Sequence, residues 1–187
     1  MNYKRHAYIL SPNEMCRPPL LWWLEDHGFD RHRDIFFENS RRGQVHAVNR
    51  CISAAIQSGC SMAVFCEGDA IPHSLKSDKF FTENRFHVQC VKYDTGKKNS
   101  FDDHDSFHCL IWRASRESLI KMANQAEKEN KTLCWEETTP RGDQVLKCHC
   151  TSIAYLAKQA GLTVGWMGNA GHIPKENSGI PELALYK

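Results

Sequence analysis

Several motifs that identify common enzyme classes are missing from this chain. It contains no Gly-x-Gly-x-x-Gly, no P-loop, no His-Glu-x-x-His and no Gly-x-Ser-x-Gly. These absences argue against a dinucleotide-dependent oxidoreductase, a P-loop kinase, a zincin-type protease and an α/β-hydrolase. The chain also lacks an apolar run of about 18 residues, so no membrane span is predicted.

Cysteine is present, but not in the pattern of a disulfide framework or a zinc site. The nine cysteines are an odd number, scattered along the chain, and no Cys-x-x-Cys occurs. We therefore predict reduced, mostly buried thiols and a cytoplasmic protein, and Met1–His6 leads into too few apolar residues for a secretory signal. Cys148-His149-Cys150 does not predict a zinc site. On a helix, residues 148 and 150 would lie about 200° apart, so their side chains could not both face one ion.

The composition is that of an ordinary globular protein. Of 187 residues, 41% are hydrophobic and 25% are charged, which is enough apolar material for one domain with a buried core. The net charge of +2 is too small to indicate nucleic-acid binding by itself.

Strand and helix patterns alternate along the chain. Apolar runs predict strands at 6–10, 35–37, 62–66, 86–91, 107–112 and 162–166, and helical spacing predicts helices at 18–28, 45–59, 75–81, 119–130 and 145–161. A polar segment at 93–106 predicts a long loop. This alternation predicts an α/β, Rossmann-like fold with a mostly parallel central sheet and helices on both faces.

Two acids end the most apolar of these strands. Glu67 and Asp69 follow Met62–Cys66 directly, and open α/β sheets bind their ligands at the carboxyl ends of the strands. Side chains at i and i+2 of an extended chain leave the same face. Two carboxylates on one face favour a hard divalent cation that also binds substrate phosphates. Two solvated acids at a strand end are the alternative interpretation.

A second group of polar residues lies late in the chain. Asp143 follows Gly142 at the predicted start of the last helix, where it would act as an N-cap or as a general base facing a cavity. His172 follows the last predicted strand in a glycine-rich segment, and a neutral imidazole is a reasonable ligand for Mn²⁺. A plain surface histidine is the alternative.

Taken together, these segments resemble the lipopolysaccharide-type galactosyltransferase family and its nucleotide-sugar-binding GT-A fold. The main point of resemblance is Gly59–Pro72, which is similar to a region that ends in Glu-Asp-Asp-Ala in that family and is likewise preceded by a helix, here at 45–56. The other matching segments are Phe107–Ala123, Gly142-Asp143, Gly161–Trp166 and His172. Two departures stand out. Gly68 replaces the middle acid, and Gly142 replaces an acid that often precedes the base.

The resemblance implies a single domain over 1–187, with a nucleotide-binding part at about 1–92 and an acceptor and catalytic part at about 93–187. It implies that Asp69, Glu67 and His172 hold Mn²⁺ or Mg²⁺ on a nucleotide-sugar donor, with UDP-sugar expected. Ser11, Pro12 and Glu38 would contact the nucleoside. Asp143 would be the catalytic base that deprotonates the acceptor hydroxyl.

Other functions remain open from the sequence. The expected acceptor is a glycan of the lipopolysaccharide type. Hydroxymethylated DNA bases are an alternative acceptor if the basic residues gather on one face: Arg31, Arg33, Arg41, Arg42, Lys97 and Lys98. A metal-dependent phosphohydrolase or nuclease could use the same acids, and a non-catalytic Cys/His zinc-binding module would need zinc to fold.

Overall fold

The structure is a computed structural model that describes residues 4–40, 42–73, 78–93, 110–141, 144–148 and 150–172. For residues 137–141, 144–148 and 166–172, and for Glu14, His73, Asp78, Lys79, Lys92 and Tyr93, it describes the backbone alone. These ranges contain nine strands: β1 (Arg5–Ile9), β2 (Ile35–Phe37), β3 (Met62–Cys66), β4 (Ala70–His73), β5 (Val88–Tyr93), β6 (Ile111–Ser115), β7 (Glu137–Arg141), β8 (Gln144–Cys148) and β9 (Val164–His172). They also contain five α-helices: α1 (Pro18–Asp26), α2 (Gln44–Ser58), α3 (Asp78–Thr82), α4 (Arg116–Lys128) and α5 (Cys150–Gln159).

Seven strands form one sheet in the order β2-β1-β3-β6-β5-β9-β4. β1 pairs in parallel with β2 and β3, and β5 pairs in parallel with β9. β6 is antiparallel to both β3 and β5, and β4 is antiparallel to β9. Five of the seven strands therefore run in one direction, so the sheet is mostly parallel. β7 and β8 form a separate antiparallel pair.

The sheet is covered on both faces, and β3 at its centre shows how. All five β3 residues are buried. Ala63 and Phe65 enter one core cluster, together with apolar side chains of α2, α4 and α5. Val64 and Cys66 enter the other, together with side chains of α1 and α3. Because successive side chains of a strand leave opposite faces, one apolar strand serves both layers.

The α/β class with helices on both faces, predicted from the alternating pattern, is thus confirmed. The predicted helix ends after α2 and α5 are also confirmed, since Gly59 (φ 70°) and Gly161 (φ 73°) adopt the left-handed conformation that glycine tolerates best. Residues 94–109, which include most of the predicted loop at 93–106, lie outside the described part of the chain. Of the strand predicted at 107–112, only Ile111 and Trp112 lie in β6, which runs from Ile111 to Ser115; residues 107–109 are outside the described part.

The prediction of one long helix at 145–161 was wrong in its first part. Val145 and Leu146 lie in β8, which pairs with β7, and α5 begins only at Cys150. The overlooked signal is Gly142-Asp143 between two short runs, because a Gly-Asp pair is a typical two-residue hairpin connection. Asp143 itself is outside the described residues, but the residues that follow it form a strand and not a helix.

The region after residue 166 also differs from the prediction. Instead of ending near Trp166, β9 continues to His172 and pairs with β4, which was not predicted. Pro72 obscured β4, because proline is unusual in strands; it is tolerated here because β4 is the last strand of the sheet.

The cysteines agree with the predicted reduced state as far as the structure describes them. Cys16, Cys51, Cys60, Cys66, Cys90, Cys134 and Cys150 are thiols, and all but Cys16 are buried. Burial raises the pKa of the Cys51 thiol to about 12 and that of Cys16 to about 11, so both resist ionisation. Within the described ranges, no helix combines the length and apolar character needed to cross a membrane.

Candidate functional site

A cleft of about 580 Å³ opens at the edge of the sheet where β1, β2 and β3 end. Its walls are the segments that directly follow these strands, together with the first turn of α2. Because the three strands are parallel and adjacent, their carboxyl ends meet at one edge. This is where open α/β sheets bind ligands.

The cleft brings together five of the seven residues singled out from the sequence. Ser11, Pro12, Glu38, Glu67 and Asp69 all line it. The other two are His172 and Asp143. The backbone of His172 pairs with Ala70, the residue after Asp69, but its side chain is not described. Asp143 lies outside the described residues.

Glu67 and Asp69 reach the cleft from a turn and not from an extended strand. The Ala70 N–H donates to the Glu67 carbonyl (3.0 Å), which closes a four-residue turn directly after β3. The expected i, i+2 geometry of an extended chain is therefore wrong for this pair. The turn is tied to its neighbours, since the Glu67 N–H donates to the Leu110 carbonyl (2.9 Å) and the Arg17 N–H donates to the Gly68 carbonyl (2.7 Å).

Gly68 is the residue that lets this turn approach the loop after β1. A Cβ placed on Gly68 would lie 1.8 Å from Ser11 Oγ and 2.9 Å from Ser11 Cβ. No side chain fits at either distance, so the acid that the resembled family has at this position is incompatible with the geometry. Ser11 Oγ is buried and has no hydrogen-bond partner among the protein atoms. At this turn the cleft therefore combines the carboxylates of Glu67 and Asp69 with the buried Ser11 hydroxyl and the backbone of Gly68.

Glu38 is a buried acid with a fixed carboxylate. Its side chain is 7% exposed, accepts a hydrogen bond from the Ser40 N–H (2.7 Å), and pairs with Arg50 (3.2 Å). Burial acts to raise the pKa of the Glu38 carboxyl, but the hydrogen bonds from Ser40 and the charges of Arg50 and His46 outweigh it and hold that pKa below its usual value. Glu38 is thus a permanent acceptor at neutral pH.

The first turn of α2 supplies hydrogen-bond donors to the same cleft. Gly43, the N-cap residue, has no side chain that could cap the helix, and it lines the cleft with Gln44. The N-terminus of a helix favours negative charge. The Gln44 amide also donates to the Glu67 carboxylate. Sequence reasoning missed Gly43 and Gln44, although a glycine between the acid Glu38 and a helix was the available signal.

The donor set of the cleft suits a hard cation. Carboxylate oxygens from Glu67 and Asp69, completed by water and by phosphate oxygens of a ligand, are the ligands that Mg²⁺ and Mn²⁺ prefer. Within the described ranges, no three His, Cys, Asp or Glu residues gather closely enough to form a protein-only metal site. Glu67 and Asp69 could therefore supply only part of the ligand set of a cation, and water or ligand oxygens would have to supply the rest.

The cysteine and basic clusters have other surroundings. Cys148 is the last residue of β8 and Cys150 is the first of α5, so the prediction that one helix holds both was wrong. Among the basic residues, Arg42 lines the cleft and Arg33 pairs with Asp30 (3.1 Å). Arg41, Lys97 and Lys98 lie outside the described part of the chain.

Comparisons with known proteins address the fold. No protein-family model matches this chain, and no curated protein matches it. The structure of the inositol-1-phosphate CTP transferase from T. maritima is similar, with a TM-score of 0.54 and 9% identity over 100% of this chain and 95% of that one. The crystal structure of A197 from STIV gives a TM-score of 0.49 and 13% identity over 92% of this chain and 87% of that one. The first likeness confirms the predicted Rossmann-like fold class.

Proposed function

We propose that this protein is a metal-dependent transferase that moves a sugar from a nucleotide diphosphate sugar to an acceptor hydroxyl. The observation that carries the proposal is the cleft at the carboxyl ends of β1, β2 and β3, which is lined by Ser11, Glu38, Glu67 and Asp69 and by the N-terminus of α2. Its volume of about 580 Å³ falls within the range of small-molecule sites. The fold likeness to a CTP transferase supports a nucleotide-derived substrate.

The residues of the cleft around the two acids would bind the diphosphate of the donor and its metal ion. Asp69 and Glu67 would hold Mg²⁺ or Mn²⁺ against the donor diphosphate, and the Gln44 amide would keep the Glu67 carboxylate in place. A cation bound there supplies Lewis-acid stabilisation of the departing nucleoside diphosphate. The N-terminus of α2 would contribute N–H donors to the same phosphates.

The nucleoside would occupy the side of the cleft formed by β1 and β2. Ser11 Oγ would gain the hydrogen-bond partner that it lacks among the protein atoms if the β1 loop shifts to expose it. The ionised Glu38 carboxylate would accept from an N–H or O–H group of the nucleoside. Pro12 would provide an apolar surface beside them.

The acceptor side remains a proposal from the sequence resemblance. There Asp143 would be the base that deprotonates the acceptor hydroxyl, and His172 would be a further metal ligand. The backbone pairing of His172 with Ala70, next to Asp69, is compatible with that ligand role. The acceptor would be a glycan of the lipopolysaccharide type or, as the alternative, a hydroxymethylated base of DNA.

Thermal unfolding against a panel of nucleotides and nucleotide sugars, with Mn²⁺ or with EDTA, tests the proposal. A ligand that binds only the native state raises the unfolding temperature by mass action. A rise caused by one UDP- or GDP-sugar and abolished by EDTA is the expected result. The absence of a shift with every nucleotide sugar contradicts the proposal.

A nucleotidyl transferase is the second candidate, and the likeness to the inositol-1-phosphate CTP transferase favours it. It requires a nucleoside triphosphate and a phosphorylated acceptor instead of a nucleotide sugar. The same panel separates the two, because CTP with its metal would stabilise the protein while nucleotide sugars would not.

Release of phosphate or cleavage of nucleic acid without any donor would instead indicate a phosphohydrolase or nuclease. Stoichiometric zinc in the purified protein would indicate the zinc-binding module.

A further inference from the structure

A second cavity lies at the opposite edge of the sheet. It has a volume of about 280 Å³ and lies where β3, β5 and β9 begin and where β6 ends. We call this second cavity the Arg113 cavity. β3 runs from Met62 to Cys66, and at 3.3 Å per residue the two edges of the sheet are about 13 Å apart along this strand. The lining of the Arg113 cavity is separate from that of the cleft.

A buried guanidinium forms part of its wall. Arg113, on β6, is 4% exposed. It donates to Asn84 Oδ1 (3.0 Å) and to the Glu83 carbonyl (2.7 Å), and its guanidinium lies 5.5 Å from the centre of the Phe80 ring. These contacts hold the planar group in one position. A fixed cation shielded from bulk water attracts an anion more strongly than an exposed one, because the effective dielectric constant is lower.

His87 and Thr163 form the side of the cavity where β5 and β9 begin. The Thr163 backbone N–H donates to His87 Nδ1 (3.2 Å), and the Thr163 hydroxyl is 2.8 Å from the same nitrogen. Since Nδ1 accepts, the proton of the neutral imidazole is on Nε2. The His87 N–H donates to Thr163 Oγ1 (3.2 Å) and the Val88 N–H to the Thr163 carbonyl (3.0 Å), so this side is rigid.

The remaining lining adds positive charge and hydroxyl groups. Arg85 lies at the mouth, 64% exposed and paired with Glu83 (2.8 Å). Ser115 and Ser118 belong to the start of α4, whose N-terminus carries partial positive charge. The nearby acid Glu117 pairs with Lys121 (2.9 Å) and is not part of the lining. Among the residues that the structure describes, no carboxylate lines this cavity, in contrast to the cleft.

From this arrangement we propose that the Arg113 cavity binds a phosphate group, either as inorganic phosphate or as the phosphate of a small phosphorylated compound. Guanidinium groups match phosphate oxygens in geometry and charge, and hydroxyl and imidazole N–H groups complete the donors. The volume is just below the usual range for drug-sized ligands, so the ligand is small. Binding here needs no metal, because the cations are side chains.

Calorimetric titration of inorganic phosphate into the full chain, with EDTA and at constant ionic strength, tests the proposal. Saturable binding is expected. Arg85→Gln should weaken it about tenfold through the loss of one charge-assisted contact. Arg33→Gln is the matched control, because Arg33 is also exposed and paired with an acid but does not line the cavity. Arg113→Lys keeps the charge and removes the planar fork, and it too should weaken binding about tenfold.

Phenyl phosphate serves as the second ligand and distinguishes the two sources. Tighter binding of the ester than of inorganic phosphate supports a phosphorylated compound, and the reverse order supports the free ion. The proposal is overturned if phosphate does not saturate the protein in EDTA, or if Arg85→Gln binds it as tightly as Arg33→Gln. It is also overturned if binding requires a metal and disappears in Asp69→Asn, since the phosphate would then occupy the cleft.

Discussion

The two edges of the central sheet carry opposite charge. At the edge where β1, β2 and β3 end, the cleft is lined by the carboxylates of Glu38, Glu67 and Asp69. At the other edge, the Arg113 cavity is lined by two arginines, a histidine and three hydroxyl residues. The acids of the cleft follow the parallel strands β2 and β3, whereas Arg85 and His87 precede β5 and Arg113 lies within the antiparallel strand β6. One sheet therefore has an acidic cleft at one edge and a cavity lined by basic and hydroxyl side chains at the other, about 13 Å apart along β3.

The helices that begin at the two edges, α2 at the cleft and α4 at the Arg113 cavity, differ in how their N-termini are capped. α2 begins at Gly43, which has no side chain to cap it, so its first N–H groups remain available to a ligand in the cleft. α4 begins at Ser115, whose hydroxyl accepts from the Ser118 N–H (3.1 Å) and caps the helix internally. The uncapped helix α2 thus begins at the acidic cleft, where we propose that a cation and phosphates bind together. The capped helix faces the cavity whose charge comes from side chains.

The largest expected effect is the loss of metal-dependent nucleotide binding in Asp69→Asn. Removal of one of two carboxylate ligands should lower the affinity for nucleotide with Mn²⁺ about 100-fold, or about 2.8 kcal/mol. Titration calorimetry with and without metal measures it. Asp26→Asn, an exposed acid at the end of α1, is the control. If Asp69→Asn and Asp26→Asn bind the nucleotide with Mn²⁺ equally well, the cleft is not a cation site and the proposed contrast between the two edges is wrong.

Two glycines, one at each edge, give the next effect. Gly68→Ala places a methyl group 1.8 Å from Ser11 Oγ and should lower the free energy of unfolding by about 2 kcal/mol. Gly165→Ala meets the Phe86 ring at 2.4 Å, but this ring is at the end of a half-buried side chain that can rotate away. Its cost should stay below about 1 kcal/mol.

Urea unfolding of both glycine variants measures these costs. Adding Ser11→Gly to Gly68→Ala should recover much of the lost stability, because the substitution removes both clashing atoms. If the double variant is no more stable than Gly68→Ala, the close approach of the two loops is not the reason for the glycine.

Glu38→Gln is expected to lower stability by about 1 kcal/mol at neutral pH, because the charge-assisted contacts with Ser40 and Arg50 are lost. The folded-state pKa of Glu38 is below its unfolded value. Its contribution is therefore present above the unfolded pKa and disappears as the pH falls through the folded pKa. Unfolding at neutral and acidic pH should show the difference between wild type and variant shrinking in acid. Glu25→Gln, at an exposed acid of α1, is the control.

The smallest effect is expected at the capped helix of the anion edge. Ser115→Ala removes the N-cap of α4 and should cost about 1 kcal/mol or less. Ser53→Ala is the matched control, since Ser53 is an exposed serine inside α2 that bonds only to the preceding turn. Equal stabilities of the two variants in urea would show that α4 does not depend on its cap.

Much of the fold was predictable because it depends on local patterns. Val48, Ile52 and Ala55 recur at helical spacing on α2, and the continuous apolar run of β3 predicts a strand buried on both faces. The β7–β8 hairpin and the β4–β9 pair were not predicted. The hairpin had a local signal in Gly142-Asp143, which the helical interpretation of 145–161 overrode. β4 is short and contains Pro72, and its partner β9 lies about 100 residues further along the chain, which a local pattern does not reveal.

The sequence by itself determined the acids of the cleft, because an apolar strand that ends in Glu67 and Asp69 places them at a sheet edge whatever the rest of the chain does. It also determined that helices alternate with strands, since that depends on side-chain periodicity. Only the tertiary structure decided that Gly43 and Gln44 of α2 join these acids in the cleft and that Gly68 packs against Ser11. It alone assembled the Arg113 cavity, from residues between Met62 and Thr163. Strand order and packing bring such residues together, and neither is encoded in the spacing of the residues along the chain.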